Sequence, residues 1–168
     1  LSLHDALPIS KAFGKFTFLL KDFDAAKLHI TLPNFHNLTL RYQQFNTALE
    51  TGNRERIIAC SSLIEQIKNA ASISKVYEQF IANTAAIKRV THHDTKISNV
   101  LFNEQGKSVC VIDLDTVMPG YFLSDVGDMI RTYVCPVSEE EQDFTKIEIR
   151  SEILEAIQNG YLHFMHNE

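Results

Sequence analysis

The chain has 168 residues, 45% apolar and 22% charged, with 16 Lys plus Arg against 21 Asp plus Glu for a net charge of −5. That apolar share is enough for a core and excludes global disorder; no run of eighteen apolar residues occurs, which excludes a membrane-spanning helix. A mildly acidic chain without a basic stripe is a poor nucleic-acid binder, and the length is that of a single domain.

Residues 1–10 (LSLHDALPIS) do not share the pattern of the segment after them and read as a junction or disordered tail, leaving 11–168 as one lobe. Phe13, Phe16, Leu19, Leu20 and Phe23 space a short amphipathic helix. Pro33 and its asparagine neighbours make 28–37 an irregular connection. Leu38, Tyr42, Phe45 and Leu49 then stripe a helix that Gly52 ends. Asn53 caps a second helix, with Ile57, Cys60, Ile64 and Ile67 inward. Ser74 caps a third, with Val76, Phe80, Ile81, Thr84 and Ile87 inward, which makes three antiparallel helices.

The period then changes. Val100-Leu101-Phe102 and Val109-Cys110-Val111-Ile112 flank Asn103-Glu104-Gln105-Gly106, a β-hairpin signal. Pro119-Gly120 marks a turn, Ser124 or Asp125 caps a helix to about Tyr133, and Ser138 to Glu141 is a capping box. A last helix over about 148–166 buries Ile149, Ile153, Ile157, Leu162 and Phe164 or their neighbours. The expected fold class is α+β, mostly helical, with one small hairpin. Cys60, Cys110 and Cys135 form an odd set without a CxxC pair, which points to buried or half-buried reduced thiols and a cytoplasmic protein.

Polar residues gather around the hairpin: His92-His93-Asp94-Thr95-Lys96-Ile97-Ser98-Asn99 before it, and Asp113-Leu114-Asp115 after it. Asp94, Asn99, Asp113 and Asp115 are hard oxygen donors suited to Mg²⁺. The spacing H-x-D-x-K-x-x-N is the catalytic-loop pattern of protein kinases, with Asp94 at the base position, Asn99 at the metal position and Asp113 at the place of the metal-binding Asp of D-F-G. Asp115 stands where that triad has glycine, which points away from protein kinases and toward small-molecule kinases.

The two motifs resemble the aminoglycoside/choline phosphotransferase family, which has the protein-kinase-like fold and writes H-G-D-x-x-x-x-N followed by I-D-x-[DE]. Within it, Arg89 to Leu101, Val111 to Gly120 and Asp125-x-Gly127-Asp128-x-Ile130-Arg131 are similar to the N-acetylhexosamine 1-kinases, as are Leu28-His29, Pro33-x-Phe35-His36-Asn37 and Arg41. The resemblance runs from about Phe13 to the last helix; His93 departs from it, standing where a small or amide residue is expected. It implies that Asp94 orients or deprotonates an acceptor hydroxyl and that Asn99 and Asp113 bind Mg²⁺. Asp115 either completes the metal shell or hydrogen-bonds the loop. Lys96 either neutralises the transferring phosphate or is simply solvated. His92 is expected to bond backbone near Asp113. Asp125 is expected to brace the catalytic loop, although a carboxylate there also suits the helix dipole, and Arg131 is expected to pair with Asp125 or Asp128.

The family also implies ATP as donor and an N-terminal β-rich lobe that grips it. None of the six glycines forms G-x-G, and no β-rich region precedes Phe13. The expectation is therefore a C-terminal-lobe fragment, inactive alone, of an enzyme that phosphorylates the anomeric hydroxyl of an N-acetylhexosamine. Two other readings stay open: a kinase of another sugar, an aminoglycoside, choline or another amino alcohol, and a non-catalytic pseudokinase-like module. The expected partner is a small molecule, not a nucleic acid or a membrane.

Overall fold

A computed structural model describes residues 3–138 and 140–166. The chain divides into two units, one of residues up to 31 and from 88 onward, the other spanning Leu32–Ile87.

The first unit is built on two helices, α1 (Leu3–Leu19) and α7 (Ser151–Met165), with α6 (Phe122–Tyr133) packed against both. Residues 3–10, expected as a junction or tail, form the first turns of α1, and Ala6, Ile9 and Ser10 are buried. The reason is that Ala6, Ile9, Phe13 and Thr17 continue one helical stripe, which Pro8 inside the helix obscures. Ile9, Phe13, Met129, Tyr133, Ile153, Ile157 and Tyr161 are the largest fully buried apolar members of the core. Each contributes about 1.5–3 kcal/mol by leaving water.

α1 and α7 approach closely because small residues face each other. A methyl group on Gly14 would strike the backbone of Tyr161, and one on Gly160 would strike Ser10. Ser10 Oγ donates to Ala6 O at 2.8 Å and reaches Ala156 O at 3.2 Å, and Thr17 Oγ1 lies 3.1 Å from Tyr161 Oη. On the last helix Ile153 and Ile157 are buried as expected, together with Ala156, Gly160, Tyr161 and Met165, whereas Leu162 and Ile149, which precedes the helix, are exposed. The small Ala156 and Gly160 join that face by permitting contact with α1. At the other end of the unit's core, Arg150 donates to Tyr133 O at 2.7 Å and Val134 O at 3.1 Å, satisfying carbonyls at the end of α6.

Two small antiparallel sheets complete this unit. β2 (Val100–Phe102) and β3 (Ser108–Val111) form the expected hairpin, with Asn103 Oδ1 accepting the N–H groups of Gln105 and Lys107 in its loop. β1 (Arg89–Thr91) pairs with β4 (Met118–Gly120), so Pro119-Gly120 lies in a strand rather than a turn. Three-residue strands carry too little periodicity to be read from sequence, and an edge strand tolerates proline. α6 starts at Phe122 with Tyr121 at the N-cap, so neither Ser124 nor Asp125 caps it. The capping signal at Ser138 opens no α-helix among the described residues; Glu139 lies outside them, and a 3₁₀ turn comes next at Phe144–Lys146.

The second unit contains α2 (Leu38–Thr51), α3 (Arg54–Ala59), α4 (Ser61–Asn69) and α5 (Ser72–Ala82). Asn37 and Asn53 cap α2 and α3 through their side-chain oxygens, 3.0 Å from the N–H groups of Leu40 and Arg56. The single helix expected after Asn53 is broken at Cys60, where Cys60-Ser61-Ser62 places three poor helix formers in a row. None of Ile57, Cys60, Ile64 and Ile67 is buried. α5 starts before Ser74, which instead donates to Ala71 O at 2.7 Å, and Thr84 and Ile87 lie beyond its end. Thr39 and Glu78 join α2 to α5 by a 3.0 Å hydrogen bond. The three thiols are free, but Cys60 and Cys110 are exposed rather than buried.

Candidate functional site

The residues between β1 and β2 and those between β3 and β4 form two loops on the first unit. Thr116 Oγ1 donates to His92 O at 2.7 Å and His92 Nε2 lies 3.0 Å from Ile112 O, so the loops are stitched together through His92. Its ring is buried against Phe13 and Phe16 of α1, edge to face at 5.1 and 5.7 Å between centroids. Burial holds its pKa below the usual histidine value, against the Ile112 hydrogen bond, which works the other way. Nδ1 accepts the Asp94 N–H at 3.3 Å. A ring that accepts at Nδ1 and donates at Nε2 is the neutral Nε2–H tautomer.

His93 comes next with φ of 70°, a left-handed conformation that rules out regular secondary structure at this point. The carboxylate of Asp125 takes up the backbone there, accepting from His92 N at 3.1 Å and His93 N at 2.7 Å. Asp125 is fully buried, and burial pushes its carboxyl up to about 7 although the two N–H bonds pull it down.

Asp94 is half-buried. Its Oδ2 lies 2.7 Å from Lys96 Nζ and accepts from Asn99 Nδ2 at 3.0 Å; Asn99 Nδ2 also donates to Asp94 O at 2.9 Å. The hydrogen bond to Asp94 raises the Lys96 pKa, so the exposed ammonium stays charged. Ile112 N donates to Asn99 O at 2.9 Å, extending the β2–β3 ladder by one rung and setting Asn99 beside the chain that leads into Asp113. Asp113 is left-handed, with φ 62° and ψ 65°, a conformation that aspartate tolerates better than most residues. Asp115 lies exposed on the 3₁₀ turn Leu114–Thr116. Arg131 pairs with Asp128 at 2.7 Å.

The structure thus brings Asp94, Lys96 and Asn99 into direct contact and sets Asn99 one rung from Asp113. Among the described residues, no three His, Cys, Asp or Glu side chains converge on a metal site, so the carboxylates of Asp94, Asp113 and Asp115 form no closed cage. The donor set still fits Mg²⁺ of the kind that keeps waters and phosphate oxygens and takes only one or two protein ligands. Asn99 spends its amide nitrogen on Asp94, which leaves its amide oxygen as the group able to accept a cation, and Asp113 is an exposed carboxylate on the adjoining loop.

Sequence reasoning passed over Thr95, Thr116 and Tyr133. Thr95 N donates to Asp128 Oδ2 at 2.7 Å, its hydroxyl lies 3.0 Å from Asp125 O and 3.1 Å from Asp128 Oδ2, and Tyr133 Oη donates to Thr95 O. The available signal was the helical spacing of Asp125, Asp128 and Tyr133, which puts polar groups on the buried side of α6. The loop, the hairpin and the helix that holds them all fall within one longer match: residues 11–161 correspond to the model of the phosphotransferase enzyme family (APH), and the chain belongs to that family.

Proposed function

We propose that this chain is the catalytic portion of a small-molecule kinase that uses ATP and Mg²⁺ to phosphorylate the anomeric hydroxyl of an N-acetylhexosamine, giving the sugar 1-phosphate. The observation that carries the kinase reading is the fixed placement of Asp94. Its carboxylate is anchored at Oδ2 by Lys96 and Asn99, so an acceptor hydroxyl can be met by the same group in a set orientation. Mg²⁺, held by Asn99 and Asp113, would gather the phosphate oxygens and offset their charge. Lys96, cationic and exposed, is poised to exchange its Asp94 partner for the transferring phosphoryl group. Asp115, on the same loop as Asp113, would complete the Mg²⁺ shell or hydrogen-bond that loop. His92, neutral and buried, serves as a strut between the loops, and Asp125 braces the backbone that presents Asp94.

The N-acetylhexosamine is supported by sequence likeness over Val111–Gly120 and Asp125–Arg131, within a family whose members act on small molecules. The 168 residues alone are expected to show no turnover, since none of their glycines forms a phosphate-covering loop. The test is phosphorus NMR of the full-length protein with Mg-ATP and a panel of N-acetylhexosamines, other sugars, aminoglycosides and choline. A sugar 1-phosphate signal with N-acetylhexosamines supports the proposal. Phosphate appearing only on aminoglycosides or amino alcohols overturns the acceptor, and no transfer to any acceptor together with no Mg-ATP binding overturns the kinase.

A further inference from the structure

The loop carrying Asp94 has no secondary structure of its own to hold it. From His92 to Thr95, side chains take the place of a ladder: Asp125 on the N–H groups of His92 and His93, His92 Nδ1 on the N–H of Asp94, and Asn99 on its carbonyl. Two further residues grip Thr95, immediately after Asp94, one at its N–H and the other at its carbonyl. Asp128 Oδ2 accepts the Thr95 N–H at 2.7 Å and lies 3.1 Å from its hydroxyl, while Tyr133 Oη donates to its carbonyl.

Asp128 is itself fixed. Its other oxygen, Oδ1, is held by Arg131 at 2.7 Å, and its side chain is only 9% exposed. Tyr133 is 2% exposed, and the carbonyl of that residue is capped by Arg150. Burial raises the Tyr133 pKa, which keeps its hydroxyl a donor at any ordinary pH. The 2.7 Å bond from Thr95 N to Asp128 is carboxylate-accepted, as is the 2.7 Å bond from His93 N to Asp125, so both residues that flank Asp94 are held by charge-assisted hydrogen bonds.

We propose that Asp128 is a positioning residue for the phosphoryl transfer: acting through Thr95, and with Tyr133 as the opposing anchor, it sets the orientation of Asp94. This rests on the kinase reading for its kinetic consequence, but not for its structural one. Asp94 is pinned on one side by Asp125 through His93 and on the other by Asp128 through Thr95. Loss of the second anchor frees the peptide after Asp94 and lets the carboxylate swing, which slows transfer without weakening nucleotide binding. A misplacement of about 1 Å costs on the order of a hundredfold in rate.

The experiment uses the full-length protein and three variants, Asp128→Asn, Thr95→Val and Thr95→Ser. Two readouts are taken: steady-state kinetics, and hydrogen–deuterium exchange of the peptide covering 90–99, with the peptide covering α7 as internal reference. Asp128→Asn is expected to lower kcat at least thirtyfold with KM for ATP within threefold; Thr95→Val, which loses the hydroxyl bonds but keeps the N–H to Asp128 and the carbonyl to Tyr133, is expected to lower it at least fivefold. Exchange of the loop peptide should speed at least tenfold in Asp128→Asn and at least threefold in Thr95→Val while α7 is unchanged. Thr95→Ser, which keeps the hydroxyl and the N–H, is expected within threefold of wild type. The double variant Thr95→Val/Asp128→Asn should lose little more than Asp128→Asn alone, because the hydroxyl that Thr95→Val removes bonds the same Asp128 oxygen. Loop exchange within twofold of wild type in both single variants overturns the proposal, as does a fully multiplicative loss in the double variant. If Asp128→Asn fails to fold, the Thr95 pair decides. If the wild-type protein transfers phosphate to nothing, the kinase reading fails while the exchange data still decide whether the anchor holds the loop.

Discussion

The carboxylate of Asp125, in the first turn of α6, accepts the backbone N–H of His93 at 2.7 Å across a sequence separation of 32 residues. The carboxyl is completely buried and its pKa is pushed up to about 7 from an ordinary 3.8, with desolvation outweighing both N–H bonds. Because the folded value is the higher one, the folded state binds the extra proton between about 3.8 and 7. Asp125 therefore contributes stability that is full below the lower value and is lost as pH rises through the higher. Asp125→Asn removes this dependence and leaves one N–H facing an amide NH₂. The stability lost in the variant, measured by urea unfolding, is expected to grow by a few kcal/mol between pH 8 and pH 4.5. A loss that stays the same across that range contradicts the assignment.

His92 works with the opposite sign. Burial against Phe13 and Phe16 lowers its pKa below 6.5, so the unfolded chain takes the proton first. Its contribution is full above about 6.5 and falls as pH drops toward the folded value. Protonation at Nδ1 would also displace the Asp94 N–H that this atom accepts. Nitrogen-resolved NMR is expected to show an Nε2–H tautomer that titrates below 6.5. An imidazole that titrates above 6.5, or that carries its proton on Nδ1, is incompatible with the arrangement described.

The sequence displays its longest-period and most chemically specific features and hides its short ones. The hairpin is legible because Val100–Phe102 and the run before Asp113 are apolar and flank a Gly-bearing loop. The cluster of Asp94, Lys96 and Asn99 is legible because the spacing within one loop fixes which side chains can meet. β1 and β4 are not, since three residues cannot declare a period, and their pairing joins segments far apart in the chain. The start of α1 is hidden by Pro8, and the burial of Ala156 and Gly160 on α7 is hidden because their small size matters only once α1 is opposite. The anchors on the loop are backbone-directed: a carboxylate that accepts N–H groups reads in sequence like a helix-dipole residue. Asp125 and Asp128 carry that ambiguity until their partners on the loop are in place.

The candidate chemistry rests on groups whose removal leaves the core untouched. Asp94 and Asp113 belong to loops outside the apolar cluster, so Asp94→Asn and Asp113→Asn should melt within a few degrees of wild type. In the full-length protein, Asp94→Asn is expected to lower kcat by about a hundredfold to ten-thousandfold with little change in KM for ATP, as for loss of a general base. Asp113→Asn should raise the Mg²⁺ concentration needed for half-maximal rate by at least tenfold. Steady-state rates across a Mg²⁺ titration separate the two. A kcat for Asp94→Asn within fivefold of wild type would rule out its assigned part in the transfer.

Glycine-to-alanine changes within helices separate packing from propensity. Intrinsic preference favours alanine by about 0.5–1 kcal/mol at a helical position. At Gly127 in α6, an added methyl group meets nothing within 4 Å, so Gly127→Ala is expected to stabilise by about that amount. At Gly14 the new methyl group runs into the Tyr161 backbone, with the Tyr161 Cα at 3.0 Å. At Gly160 it meets Ser10 and lies 2.9 Å from Leu7 O. Backbone atoms on an opposing helix cannot rotate aside, so α1 and α7 must separate, and overpacking of this kind costs about 1–3 kcal/mol. Gly14→Ala and Gly160→Ala should therefore destabilise although the same substitution in α6 stabilises. Urea midpoints of the three variants read the signs directly. Three shifts in one direction would mean that close contact between α1 and α7 does not control the stability of this unit.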